Sequence, residues 1–247
     1  VRAELAILVR TLGTGIAVLA VLIAGCAAPP PPERPQAPSY PPGFPLAIYE
    51  AASQRGDPVY VVDDTVGQNL VVRVYRDGSL ARLGHDHVVS TASVRGYALI
   101  PTEFARVRMD LFIPVDEFRV DMPNVVQDAG MKVELTDEQI AGTRNNMENY
   151  VLEASRYPFV VVDAHCAPVQ DCSAIDARLT LHGVQRAVRI PIKVRREAGR
   201  LVVEGKFPLK QSDFGITPFS ALGGAISVAD NVEIEFRLTL RPPLIAF

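Results

Sequence analysis

The chain has 247 residues, 48% of them hydrophobic and 21% charged, with a formal net charge of −3. That is ordinary globular composition with room for one sizeable core, and it gives no basic stripe with which to hold a nucleic acid. There is no tryptophan, so nothing suggests a Trp-lined sugar cleft.

The first element in chain order is a targeting segment. Arg2 and Arg10 precede an apolar run from Ile16 to Ala28, shorter than the roughly 20 residues that a transmembrane helix needs. Its end, Ile23-Ala24-Gly25-Cys26, resembles a bacterial lipobox, in which small residues admit a peptidase and the cysteine thiol takes up lipid. Residues 1–26 are therefore expected to be a lipoprotein signal peptide, with Cys26 as the lipid anchor; a plain secretory signal or membrane anchor, with Cys26 incidental, is the alternative. Ala27 stands where Asp would favour inner-membrane retention, so the expected location is the periplasmic side of the bacterial envelope, at the outer membrane rather than the inner.

The next stretch contains "PPPPERPQAPSYPPGFP", Pro29 to Pro45. Proline-rich chain is semi-rigid and extended, so residues 27–56 are read as a stalk and residues 57–242 as the folded domain.

Within that domain the pattern is alternation. Leu70, Val72 and Val74 share one face, as do Val107, Met109, Leu111 and Ile113. So do Ile175, Ala177, Leu179 and Leu181, then Val188, Ile190, Ile192 and Val194, and finally Val232, Ile234, Phe236, Leu238 and Leu240. Period two with one polar face predicts antiparallel strands, and the turn signals "RDGS", "HGVQ" and "EAGR" separate such runs. Many strands with one apolar face each close most economically as a barrel or a sandwich. One segment departs from the pattern. Thr136 is a helix N-cap, Asp137 and Glu138 occupy the first turn, and Pro158 ends the run. An amphipathic helix over 136–153 is predicted, with Ile140, Met147 and Val151 on one stripe.

Cys166 and Cys172 remain once Cys26 is assigned to lipid. In an exported protein an even pair across a short loop reads as a disulfide, and a Cys-x5-Cys metal site is the weaker rival.

Four segments together resemble the YceI-like family. "YVVDDTVGQNLVVRVYRDGSLARLGHDHVVSTASVRG" resembles its first hairpins, in a variant with a Gly-His-x-His turn, and "GTRNNMENYVLEASRYPFVVV" its helix followed by a Tyr-Pro strand start. "ARLTLHGVQRAVRIPIKV" is similar to its Leu-Thr-x-x-Gly-Val hairpin, and "KQSDFGITPFSALGGAISVADNVEIEF" to its Ser-Asp-Phe-Gly segment and last strand. The resemblance covers nearly all of residues 59–240. Two positions differ from better-known members: Asp64-Thr65 replaces a His-Ser start, and Arg144-Asn145 an Arg-Asp at the helix. The resemblance implies an all-β, antiparallel, lipocalin-like barrel of about eight strands with one amphipathic helix. It implies an exported protein that binds a polyisoprenoid or other long-chain amphiphile in an apolar interior. The helix, with Ile140 and Met147 facing inward, is then placed to cover the barrel, and Val162 and Leu179 are the wall positions chosen for narrowing it.

"RLGHDHVVS" puts two of the four histidines within three residues. In extended chain His85 and His87 point to the same side and Asp86 to the other. Three uses are open: a polar corner around Gly84, contact with a ligand headgroup, or a metal site. The corner ranks first, because a zinc site needs further ligands and only His165 and His182 offer more imidazole. Catalysis has little support, with no Gly-x-Ser-x-Gly, no His-Glu-x-x-His and no Gly-rich phosphate loop. Asp213 beside Phe214-Gly215 reads as a turn-capping carboxylate. The expectation is a binding protein with no catalytic residue, no cofactor and no resident metal; a metal protein or metal-dependent enzyme using His85 and His87 is the alternative. Nothing in the sequence sets an oligomeric state.

Overall fold

The alternating segments form strands, and two tight turns join three consecutive long ones. His182-Gly183 and Ala198-Gly199 all have positive φ, from 47° to 80°. That is the type I′ geometry whose twist matches antiparallel strands. They link β9 (Ala174–Leu181), β10 (Val184–Glu197) and β11 (Arg200–Lys210) into consecutive hairpins. The computed structural model describes residues 39–63, 65, 67, 70–101, 107–166 and 172–243. The lipobox and Cys26 lie outside them.

Eight strand positions close a barrel, and three of these are broken into two pieces. β1 (Val59–Val62) and β2 (Leu70–Val74) lie end to end, as do β4 (His87–Thr91) and β5 (Arg95–Leu99), and β6 (Arg108–Pro114) and β7 (Arg119–Val120). β8 (Phe159–Cys166), β9, β10 and β11 follow, and β14 (Asn231–Arg241) completes the ring by pairing with β11 on one side and with both β2 and β1 on the other. All pairings are antiparallel. The Asp77-Gly78 turn signal does not close a simple hairpin. The chain passes through β3 (Arg76–Asp77) and a 3₁₀ turn, Ala81–Leu83, before β4 begins. β3 joins β12 (Ser220–Ala221) and β13 (Ile226–Val228) in a small separate sheet. Gly78, with φ 95°, is required there, because a Cβ would lie 2.5 Å from the Ala225 carbonyl oxygen.

Three helices occur among the described residues, where the sequence predicts one. α1 (Leu46–Gln54) lies in the segment assigned to the stalk. Tyr49 and Ala52, three residues apart and so on one helical face, are fully buried beside Val59, Tyr97 and Leu99. Tyr49 donates to Asp110 Oδ2 at 2.5 Å, and its burial, followed by that hydrogen bond, pushes the hydroxyl well above its ordinary pKa. Tyr40 and Phe44 stack 5.2 Å apart, and Phe44 meets Phe112 edge-on at 5.2 Å. The folded unit thus begins well before residue 57. Proline content describes how the chain travels, but not whether aromatic residues within it find a wall.

α2 (Pro123–Asp128) starts with proline at its first turn and covers Val88 with Val125 and Val126. α3 (Asp137–Asn146) starts at the predicted cap. Gln139 N donates to Thr136 Oγ1, and Thr136 N donates to Gln139 Oε1, a reciprocal capping box. The predicted helix does not run to residue 153 as one piece, because Met147–Val151 widens into a π-helical turn. Arg144 pairs with the buried Glu148 at 2.6 Å across this junction. Cys166 and Cys172 form a disulfide with Cα atoms 5.3 Å apart, joining the end of β8 to the start of β9.

Candidate functional site: a one-ended apolar cavity

The inward faces of the strands do not meet at the barrel's centre. They enclose a cavity of about 310 Å³, within the range of small-molecule sites. Its wall comes from the predicted alternating sets: Leu70 and Val72, Met109 and Leu111, Ala177 and Leu179, Ile234 and Phe236. Medium-sized side chains at these positions leave the space unfilled. Phe236, like Phe118 and Phe207, is a bulky member of the lining, and its ring lies over Gly205, where a Cβ would approach Cζ to 2.5 Å.

The two ends of the barrel differ. At the disulfide end Val62, Val107, Cys166, Cys172, Ile192 and Leu240 are all buried, with no more than 7% of any exposed. They pack into the core without lining the cavity, so among the described residues this end is filled. The cavity runs toward the opposite end, where Val74 pairs with His87 and where α3 contacts β7. There Thr143, Asn146 and Met147 of the helical segment and Phe219 join the lining, and Phe219 is 38% exposed.

His87 is the inward-facing residue at the start of β4. Its Nδ1 lies 2.7 Å from Asp121 Oδ2, while Asp121 Oδ1 accepts from Val88 N at 2.7 Å. Asp121 is buried, at φ 52°, a left-handed conformation that aspartate adopts more readily than most residues. Asp86 points away and accepts from Arg76 N at 2.9 Å.

The structure separates the sequence's candidates. Val162, Leu179, Met147 and His87 all line the cavity. Ile140 does not: it sits half-buried nearly two turns before Met147, while the helix meets the cavity only from Thr143 onward. His85 does not line it either. The strand begins at His87, so period two does not reach back across the bend, and His85 is exposed. The two histidines thus differ in environment, one toward solvent and one on the cavity wall. Among the described residues no three histidine, cysteine or carboxylate side chains form a group able to hold a metal ion. His182 is in the β9–β10 turn, with Nε2 3.1 Å from Glu153 Oε1 and its ring 4.5 Å from that of Tyr157. Asp213 is exposed in a 3₁₀ turn before Gly215.

Sequence reasoning missed Asp121, Thr143, Asn146 and Gln211. Thr143 and Asn146 precede Met147 by four residues and one, on the inward side of a helix read for its apolar stripe alone. Asp121 and Gln211 lie just beyond strand ends, where alternation gives no signal.

Comparison with known proteins gives one family. The YceI-like domain matches residues 85–240. No curated protein matches. Among solved structures, the chain is similar to BcnA of Burkholderia cenocepacia at 18% identity and a TM-score of 0.53, over 72% of this chain and 98% of that one. It is also similar to a polyisoprenoid-binding domain of Saccharophagus degradans implicated in plant cell wall breakdown, at 16% identity and a TM-score of 0.52, over 74% of this chain and 98% of that one. At such identities these structures speak for the fold, and the match over residues 85–240 speaks for descent: the chain belongs to the YceI-like family.

Proposed function

We propose that this protein is a carrier that holds one long-chain amphiphile, of polyisoprenoid or similar type, tail-first in the barrel and does no chemistry on it. The observation that carries this reading is the one-ended apolar cavity of about 310 Å³. An apolar wall left unpacked and open at one end forgoes the contacts and the burial that a filled core would have. An occupant recovers both, since each buried methylene contributes about 0.8 kcal/mol. The polyisoprenoid-binding domain of Saccharophagus degradans supports the same choice of ligand through its shared fold. The lipobox-like sequence supports export and a Cys26 lipid anchor on the periplasmic side of the envelope, with the outer membrane favoured by Ala27.

The test is extraction of the purified protein followed by mass spectrometry, with Val162→Trp and Leu179→Trp made in parallel. Both residues line the cavity, so an indole at either position should expel co-purifying lipid while the β-sheet signal persists. Wild-type protein that never carries or takes up a long-chain molecule would overturn the proposal.

A further inference from the structure

Four polar side chains interrupt the apolar lining: His87, Thr143, Asn146 and Gln211. The topology gathers them at one end. His87 opens β4, Gln211 follows β11, and Thr143 and Asn146 lie one turn apart on α3, which contacts β7 beside β4. A molecule lying tail-first in the cavity has its head at this collar.

The collar's chemistry is specific. His87 Nδ1 is engaged by Asp121, so in the neutral ring Nε2 is the acceptor. Asp121 is itself fixed by Val88 N, which holds the imidazole in one orientation. Gln211 donates through Nε2 to Ala229 O at 2.9 Å, which leaves its side-chain carbonyl to accept. Thr143 and Asn146 can each donate and accept. No lysine or arginine is among the described residues lining the cavity. An anion brought here loses its water without gaining a lysine or arginine, and the Asp121 carboxylate stands behind His87, the one imidazole among the described lining residues.

We infer that this collar binds an uncharged, hydroxyl-bearing head, that of a long-chain alcohol, and discriminates against the corresponding phosphate. The inference rests on the carrier reading. The head hydroxyl donates to His87 Nε2 and accepts from the Asn146 amide or the Thr143 hydroxyl. His87 is then the residue that sets head specificity, and Asp121 positions it.

The experiment uses the full mature chain, freed of lipid, and displacement of a fluorescent apolar dye. Three probes of one carbon skeleton are compared: the isoprenoid hydrocarbon, its alcohol and its phosphate monoester. The alcohol should bind about tenfold tighter than either of the others, the size expected for one or two net hydrogen bonds. His87→Phe should reduce the alcohol-to-hydrocarbon ratio by about the same factor, and Asp121→Asn should reduce it less. Phosphate binding as tightly as alcohol, or an unchanged ratio in His87→Phe, would overturn the inference. Should His87→Phe not fold, Thr143→Val and Asn146→Leu remove the two donors to the head hydroxyl, and an unchanged ratio in both would overturn it equally. If none of the probes displaces the dye from wild-type protein, the carrier reading itself fails. If all three bind alike, only the head assignment does.

Discussion

Tyr49 and Asp110, 61 residues apart in sequence, share a buried hydrogen bond of 2.5 Å that fastens α1 to the outside of the barrel. Arg108 donates to the same carboxylate, from Nε at 2.6 Å and from a terminal nitrogen at 3.1 Å. Tyr49→Phe should therefore cost about 1–3 kcal/mol, since Asp110 keeps its arginine. Tyr49→Ala also empties a fully buried site and should cost about 3–5 kcal/mol. Urea unfolding measures both. A midpoint unmoved in Tyr49→Ala would mean that α1 is not part of the folding unit.

Gly205 pairs with Phe236 across β11 and β14, and the Phe236 ring occupies the space a side chain at 205 would take. Gly205→Ala should push that ring into the cavity and lower lipid capacity, while the pairing of the two strands persists. Lipid content per mole of protein is the measurement. Phe236→Leu in the same chain should restore capacity by making room.

Asp63 is buried, and its carboxyl is held below the usual aspartate value. The Thr65 hydroxyl at 2.6 Å is the largest cause, with Arg241 and Arg200 adding smaller attractions. A carboxylate whose folded pKa is depressed contributes stability that is full well above its unfolded value, about 3.9, and is lost as pH falls from there through the folded value. Unfolding followed from pH 6 down to pH 2, spans chosen on either side of about 3.9, should show this acid loss. Asp63→Asn should flatten that part of the profile and lower stability at neutral pH.

If Cys26 carries the lipid, Cys26→Ser should leave the protein unprocessed or release it from the membrane fraction. Fractionation with mass analysis of the mature N-terminus decides this. An N-terminus elsewhere, without acyl mass, would remove the anchor from the proposal.

The barrel was legible because its signal is local and repeated. Leu179 and Leu181 report their face through their neighbours, and His182-Gly183 supplies the turn between their strand and the next. The cavity was half legible: side-chain size suggested unfilled space, but only the packed arrangement shows Val62 and Leu240 filling one end. α1 was hidden because Tyr49 finds its partner across the whole first half of the barrel, a pairing that no local pattern encodes. The histidine pair misled for a related reason. Periodicity presumes a continuous strand, and the chain bends before His87. Asp121, which fixes that histidine, is 34 residues further on.

Among the described residues Val62, Ile192 and Leu240 fill the disulfide end, which makes the barrel a cup and not a pipe. If the barrel carries a guest as proposed, the guest leaves by retracing the path by which it came, so the last atoms in are the first out. On the carrier reading, loading and delivery would compete for that one doorway, and turnover would be limited by how fast the guest withdraws, unless a recipient docks at the same rim and takes hold of the exposed end.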